Sequence, residues 1–154
     1  MRRATWLVLC SVAPSACGGA DKPATPRASA DPRIAQLEER MRSVHGFRDP
    51  SEVHRLVSEL RSAATVGDKR ALAAALHYPL TTYSRGVPVR RYITPGEVLA
   101  AYDSLFSEDV LAALRAAEYE ELFVRDQGAA IGHGKVWLGQ FDEGVRIKAI
   151  NATR

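Results

Sequence analysis

Cysteine is scarce in this chain and absent from most of it. The 154-residue sequence holds two cysteines, Cys10 and Cys17, and both lie near the N-terminus. A scaffold held together by several disulfides is therefore excluded. From residue 18 onward the sequence has no thiol, so a cysteine nucleophile and a cysteine metal site are excluded there as well.

Sequence signatures of metal, phosphate and nucleophile chemistry are also missing. The histidines follow no metal-binding spacing, and there is no G-x-S-x-G motif. Several glycines between 128 and 139 are spread along predicted strands, where they indicate bends rather than a phosphate-binding loop. We therefore predict no metal and no cofactor, and we assign no catalytic residue.

The chain has no large excess of positive or negative charge. The chain has 21 lysines and arginines against 18 aspartates and glutamates, a formal net charge of +3. This excess is too small to predict a nucleic-acid partner. With 46% hydrophobic and 25% charged residues, the composition is typical of a globular domain and excludes a wholly disordered chain.

The first segment has the layout of an export signal. Arg2 and Arg3 form a basic start, residues 6–13 are apolar, and Ser15 and Ala16 supply small side chains. The apolar run is too short to remain as a membrane-spanning helix. We predict a signal peptide over residues 1–16.

Cys17 follows the small residues directly, and this arrangement resembles a bacterial lipoprotein signal. The resemblance implies lipidation of Cys17, although Pro14 stands where such signals have leucine. Gly18 beside the cysteine implies an anchor in the outer membrane, with the protein facing the periplasm. Residues 17–33, rich in glycine, alanine, proline and serine, are predicted to be a lipid-anchored flexible linker. The alternative is an ordinary secretory signal and a secreted or periplasmic protein.

Helix signals recur through the rest of the chain. Residues 34–48 are either a short helix or linker, and residues 49–154 are predicted to form the main domain. Asp49-Pro50-Ser51-Glu52 predicts a helix start, with the helix running to about Ala64. Three further starts are predicted, with a helix over 69–76 after Asp68, a helix after Thr94, and a helix from Ser107 through Ala117.

Strand patterns lie between and after these helices. Residues 80–84 and 87–93 predict a hairpin around Arg85-Gly86, with Pro88 marking an edge strand. Residues 121–125, 129–138 and 145–150 predict a terminal meander. The order indicates an α+β fold with helices on one face of an antiparallel sheet.

The stretches GDKRALAAAL and GVPVRRYITPGEVLAAYDSLF, followed by the meander, resemble the nuclear transport factor 2-like superfamily. That superfamily includes SnoaL-like and ketosteroid-isomerase-like enzymes. The segment FVRDQGAAIGHGKVWLG is similar to small bacterial envelope lipoproteins of the same fold. The resemblance covers roughly residues 50–151 and implies a strongly bent, cone-shaped sheet with a ligand pocket at its mouth.

The pocket of such a cone has four candidate lining residues here, namely His77, Tyr78, Tyr83 and Tyr102. A ketosteroid-isomerase-like site also needs a buried carboxylate base. None of the acidic residues falls clearly on a buried face of a predicted element, which weighs against proton abstraction. The alternative for the tyrosines is wall packing with a satisfied hydroxyl group.

Two surfaces are candidates for contacts with other molecules. If 129–138 is one strand, His133, Lys135 and Trp137 share its outer face and can contact a protein partner or a second copy. The resemblance to the nuclear transport factor 2-like superfamily implies a homodimer through this face. The alternative is that the 34–44 helix covers Trp137. The basic residues Arg85, Arg90 and Arg91 either meet anionic lipid headgroups or polysaccharide, or form a solvated edge that discourages strand addition.

Together these features predict an exported, lipid-anchored envelope protein that binds a small ligand or a protein partner. The alternative is a small isomerase, cyclase or hydrolase that uses the cone pocket. A third possibility is an accessory subunit of an envelope assembly.

Overall fold

The computed structural model describes residues 31–151, so the predicted signal peptide, Cys17 and most of the predicted linker lie outside the described residues. The helices are α1 (Pro32–Arg40), α2 (Pro50–Val66), α3 (Lys69–Ala74), α4 (Pro95–Ala100), α5 (Tyr102–Leu105) and α6 (Glu108–Arg115). A π-helical turn (Met41–His45) continues α1, and a 3₁₀ turn (Tyr119–Glu121) follows α6. The strands are β1 (Leu76–Ser84), β2 (Val87–Tyr92), β3 (Phe123–Arg125), β4 (Gly128–Ile131), β5 (Val136–Phe141) and β6 (Gly144–Asn151).

Three of the four predicted helix starts are confirmed by capping contacts, whereas Ser107 precedes α6 without a side-chain capping bond. Asp49 accepts from the Ser51 backbone N–H at 2.8 Å, Asp68 from the Ala71 N–H at 2.9 Å, and Thr94 from the Glu97 N–H at 3.3 Å. Ser51 donates to Asp49 from its hydroxyl as well, and these bonds lower the pKa of the Asp49 carboxyl. Local sequence was therefore sufficient to place these three helix starts.

The six strands form one open sheet with the order β2-β1-β6-β5-β4-β3. All neighbours are antiparallel except β1 and β6, which run parallel. The fold is thus α+β, as predicted, but the sheet is mixed rather than wholly antiparallel. The long connection between the two strands, through β2, α4 to α6 and β3 to β5, permits this parallel pairing, which a tight hairpin does not.

The prediction of a single strand over 129–138 was wrong. Two strands, β4 and β5, occupy this stretch, and residues 132–135 form the turn between them. Gly132, His133 and Gly134 all have positive φ, at 59°, 56° and 87°, and three consecutive residues of this conformation reverse the chain. His133 and Lys135 lie in the turn and Trp137 lies on β5, so the three residues do not share one strand face as predicted.

The boundary between α3 and β1 also differs from the prediction. The helix was expected to run to Leu76, but it ends at Ala74, and β1 begins at Leu76. The backbone N–H of Ile147 donates to the Ala75 carbonyl at 2.9 Å. Pairing with β6, which is distant in sequence, thus draws this segment into the sheet.

One hydrophobic core joins the helices to one face of the sheet. α2 contacts both α6 and β6, and the fully buried side chains include Leu60, Leu72, Leu80, Leu138 and Ile147. Met41 and Phe47, at 0% and 1% exposure, belong to the same core. The 34–48 segment is therefore helical up to His45 and part of the folded unit. Among residues 31–151, no helix has the length and apolarity required to cross a bilayer.

Candidate functional site

An open cleft lies between α6 and the β3–β4 hairpin. Its volume is about 750 Å³, and it opens to solvent. Five alanines and two larger aliphatic residues form half of its lining, namely Ala112, Ala113, Ala116, Ala117, Ala130, Leu122 and Ile131. Phe123, which is 47% exposed, also lines it.

The cleft owes its shape to alanines on α6 and to a close approach by the turn after β4. Ala112, Ala113 and Ala116 share one side of the helix because residues three and four apart are neighbours on a helical surface. A Cβ at Gly132 would lie 2.5 Å from the Ala113 Cβ, so only glycine fits the present approach of turn and helix. The small side chains leave the space between the two elements unfilled.

Charged residues stand around the mouth of the cleft. Lys135 Nζ lies 3.5 Å from Asp109 Oδ2, which ties the β4–β5 turn to the start of α6. Arg61 pairs with Glu118 on the other side. Glu121 lines the cleft and forms no ion pair within residues 31–151. The mouth therefore offers a carboxylate to a ligand.

The structure separates the three predicted surface residues. His133 and Lys135 line the cleft, and His133 is exposed. Trp137 is half-buried on β5, between the buried residues Val136 and Leu138 along the strand. Its indole packs against Gly134, where a Cβ would lie 3.6 Å from the Trp137 Nε1 atom. The 34–45 segment packs on the β3–β4 hairpin, where Arg40 donates to the Val124 carbonyl.

His77, a predicted pocket residue, lies at the start of β1 and is held from two sides. Its Nδ1 atom is 2.7 Å from Glu143 Oε1, and its ring stacks on Phe141 with 3.6 Å between ring centroids. The backbone N–H of Glu143 itself, followed by the His77 hydrogen bond, lowers the pKa of the Glu143 carboxyl. This arrangement fixes the orientation of the imidazole.

The three predicted tyrosines have separate surroundings. The Tyr78 hydroxyl donates to the Ala73 carbonyl at 2.9 Å, and burial raises the Tyr78 pKa. Tyr102 is 5% exposed and stacks on Phe106, and burial raises its pKa too. Tyr83 is half-buried and pairs with Pro88 in the hairpin. Neither His77 nor any of these tyrosines lines the cleft beside α6.

Sequence reasoning missed the residues that form the cleft. The alanines fell within the predicted helix from Ser107 through Ala117 and Phe123 within the predicted strand 121–125, and none of them was assigned to a site. The available signal was the run of small residues in AALRAA, together with a glycine that has to approach it. Which glycine approaches which alanine depends on the packing of elements distant in sequence.

Within residues 31–151, no group of three or more His, Cys, Asp or Glu side chains is placed to hold a metal ion. Comparison with models of known protein families, with curated proteins and with solved structures finds no match.

Proposed function

We propose that this chain is an exported, lipid-anchored envelope protein whose folded part binds a small, partly apolar ligand in the cleft beside α6. The observation that carries the proposal is the cleft itself, which has a volume of about 750 Å³ and a lining of alanines, larger apolar side chains and a few charged groups. Small-molecule sites typically measure about 300–1,000 Å³ and combine apolar walls with a few polar groups.

The charges at the mouth support binding. Asp109 forms an ion pair with Lys135, and Glu118 forms one with Arg61. Because these charges are already paired, they hold the walls of the cleft in place rather than bind a ligand. Glu121 and His133 remain at the mouth to select the polar end of a ligand. A protein partner that inserts one apolar side chain would use the same features.

Filling the cleft tests this proposal. We would record amide NMR spectra of the chain with a library of small amphipathic fragments. Fragments are expected to shift resonances of Ala112, Ala116 and Ile131, and the double variant Ala112→Leu, Ala116→Leu is expected to abolish those shifts. The matched control adds the same volume elsewhere, at the exposed helical residues Ala35 and Ala100. Shifts that persist in the filled variant would overturn the assignment of the cleft.

The localisation rests on Cys17. Replacing Cys17 by Ser is expected to release the protein from the membrane fraction, because no lipid can then be attached. Unchanged fractionation would contradict the lipid anchor and leave the cleft proposal intact.

We also propose that the open sheet is the bent, cone-like sheet of the nuclear transport factor 2-like superfamily. The element order supports this, with helices, a hairpin, further helices and a meander. Register shifts at Thr82/Tyr83 and Trp137/Leu138 provide bulges, which bend and twist a sheet. Homodimer formation, implied by the resemblance, is tested by Trp137→Ala, which should lower the sedimenting mass.

A second candidate function is acid–base catalysis at His77. The supporting observation is the 2.7 Å contact with Glu143, which can hold the Nδ1 proton and leave Nε2 as a base. Hydrolysis of p-nitrophenyl acetate is a direct probe of an accessible imidazole. If the candidate is correct, His77→Gln lowers the rate and His54→Gln, at an exposed position, does not. Equal rates in both variants would remove this candidate.

A further inference from the structure

The tip and second strand of the β1–β2 hairpin form the longest exposed stretch within a strand pair of the described chain. Seven consecutive residues, Arg85 to Arg91, are exposed. We call the exposed charged and aliphatic residues here the hairpin surface, comprising Arg85, Val87, Val89, Arg90, Arg91 and Ile93. β2 pairs only with β1, so its other edge is free of strands.

The hairpin surface contains three arginines and no carboxylate among its own residues. Between Lys69 and Gly96 the sequence has no aspartate or glutamate. Within residues 31–151, its three arginines form no ion pair. Of the ten other arginines between residues 31 and 151, five pair with carboxylates, namely Arg42, Arg48, Arg55, Arg61 and Arg115. The next carboxylate, Glu97, accepts the Ile93 backbone N–H at 2.8 Å.

Aliphatic side chains are interleaved with these arginines along the hairpin, where the consecutive residues Arg90 and Arg91 lie on opposite faces of β2. Val87, Val89 and Ile93 are 63%, 55% and 55% exposed. By contrast, Tyr92 is buried against the sheet, with the Arg90 guanidinium 4.9 Å from its ring centroid. The valines and Ile93 are therefore apolar surface that the domain itself leaves in water.

We propose that the hairpin surface binds the face of an anionic phospholipid bilayer. The arginines meet the phosphate groups, and Val87, Val89 and Ile93 enter the boundary between headgroups and acyl chains. Basic and apolar side chains side by side are the combination that interfacial membrane segments use. This inference goes beyond the proposed function and does not depend on a lipid at Cys17.

Two other occupants fit less well. A hydrated acidic polysaccharide would satisfy the arginines but would give no gain to the exposed aliphatic side chains. A second copy pairing edge to edge would bring two sets of arginines together, and Pro88 has no N–H to donate to the ladder. The bilayer is the partner that uses both the charge and the apolar area.

The test measures co-sedimentation with vesicles, using the unlipidated chain from Gly18 to Arg154. That chain contains the complete hydrophobic core, whose members all lie between Met41 and Ile150. One set of vesicles is phosphatidylcholine alone, and the other mixes phosphatidylcholine and phosphatidylglycerol in equal parts. We expect binding to the anionic vesicles only, and we expect added salt to weaken it.

Two variants separate the charge from the apolar contribution. Arg85→Ser, Arg90→Ser, Arg91→Ser is expected to bind about a hundredfold more weakly, since each basic residue near an anionic surface contributes about one kcal/mol. Val87→Ser, Val89→Ser keeps the charge and is expected to weaken binding as well, about tenfold. The matched control, Arg33→Ser, Arg48→Ser, Arg55→Ser, removes the same charge from other exposed positions and should bind like the parent.

Several outcomes would overturn the proposal. Equal losses in the control and hairpin variants would show a general charge effect. Equal binding to both kinds of vesicle would show that headgroup charge is not recognised. Retention on an acidic polysaccharide without vesicle binding would assign the hairpin surface to that polymer instead. If the triple serine variant fails to fold by circular dichroism, the triple lysine variant at the same positions takes its place and must retain salt-sensitive binding.

Discussion

The two edges of the sheet are protected in opposite ways. At the β3 edge, Arg40 donates to the Val124 carbonyl at 3.1 Å, and His45 Nδ1 lies 2.9 Å from the Asp126 carbonyl. The π-helical turn packs on β3 and β4. At the β2 edge, five of the six strand residues are exposed, and only residue types and a register shift limit pairing.

The comparison shows that an edge strand can be protected by remote or by local means. Covering β3 requires residues 84 positions apart in the chain. Protection of β2 comes from the hairpin's own residues. Pro88 has no backbone N–H to donate, and Arg90 and Arg91 repel another basic strand. The register shift near Tyr83 also disrupts the hydrogen-bond ladder. Exposed valines contribute nothing to such protection, which is why we assign them to binding.

The largest expected effect comes from removing the cover of β3. Met41 is fully buried in the π-helical turn, and Met41→Ala is expected to destabilise the protein by about 2–5 kcal/mol, because it leaves a cavity in the core. Urea unfolding measures the change. Val44→Ala, at a 46% exposed position of the same turn, is the matched control. A similar small change in both variants would show that the segment is not part of the cooperative unit.

A turn in the packed region should tolerate substitution less well than the turn of the open hairpin. Gly132 and Gly86 both have positive φ, but a Cβ at Gly132 meets the Ala113 Cβ, whereas nothing lies within 4 Å of one at Gly86. We expect Gly132→Ala to cost about 1–3 kcal/mol more than Gly86→Ala.

Thermal unfolding of both glycine variants checks this difference. Adding Ala113→Gly to Gly132→Ala should recover most of the excess, which a double-mutant cycle measures. Additive effects in that cycle would show that Gly132 and Ala113 do not approach as described.

The two edges should also differ in how they respond to loss of an arginine. Arg40→Ala removes the donor to Val124 and is expected to cost about 0.5–1.5 kcal/mol. Arg91→Ala, on the open edge, is expected to change the free energy of unfolding by less than about 0.5 kcal/mol. The same urea experiment compares them, and equal costs would contradict the difference between the edges.

The smallest effect concerns alkaline pH. Tyr119 contacts Met41 and Pro50 beneath the β3 cover, and burial raises its pKa to about 12 from an ordinary value of 10.0. The unfolded chain therefore ionises first, so stability present below pH 10 is lost as the pH rises toward 12. Tyr119→Phe should flatten this decline in urea midpoints. The prediction would be contradicted if phenolate absorbance showed that every tyrosine of the folded chain ionises with the ordinary pKa of 10.0.

Helix starts and turns were predictable where the interacting residues lie within one short stretch of sequence. Asp49, Asp68 and Thr94 cap helices within three residues of themselves, and Arg85-Gly86 turns the hairpin. The prediction of one strand over 129–138 was wrong because strand-forming residues flank Gly132 to Gly134. Hydrophobic periodicity does not reveal the positive φ values of these three residues. The parallel pairing of β1 with β6 was not predicted, because nothing in the sequence near Leu76 indicates Ile147 as its partner.

The candidate site divides in the same way. The sequence alone determined the basic hairpin, its edge position and the absence of thiols after residue 17, since each depends on residue identity and local spacing. Only the tertiary structure decided that α6 stands against Gly132 with an unfilled space between them, that His77 meets Glu143, and that β3 is covered while β2 is open. These features arise from packing between segments distant in the chain, where side-chain volume and strand register determine which groups meet.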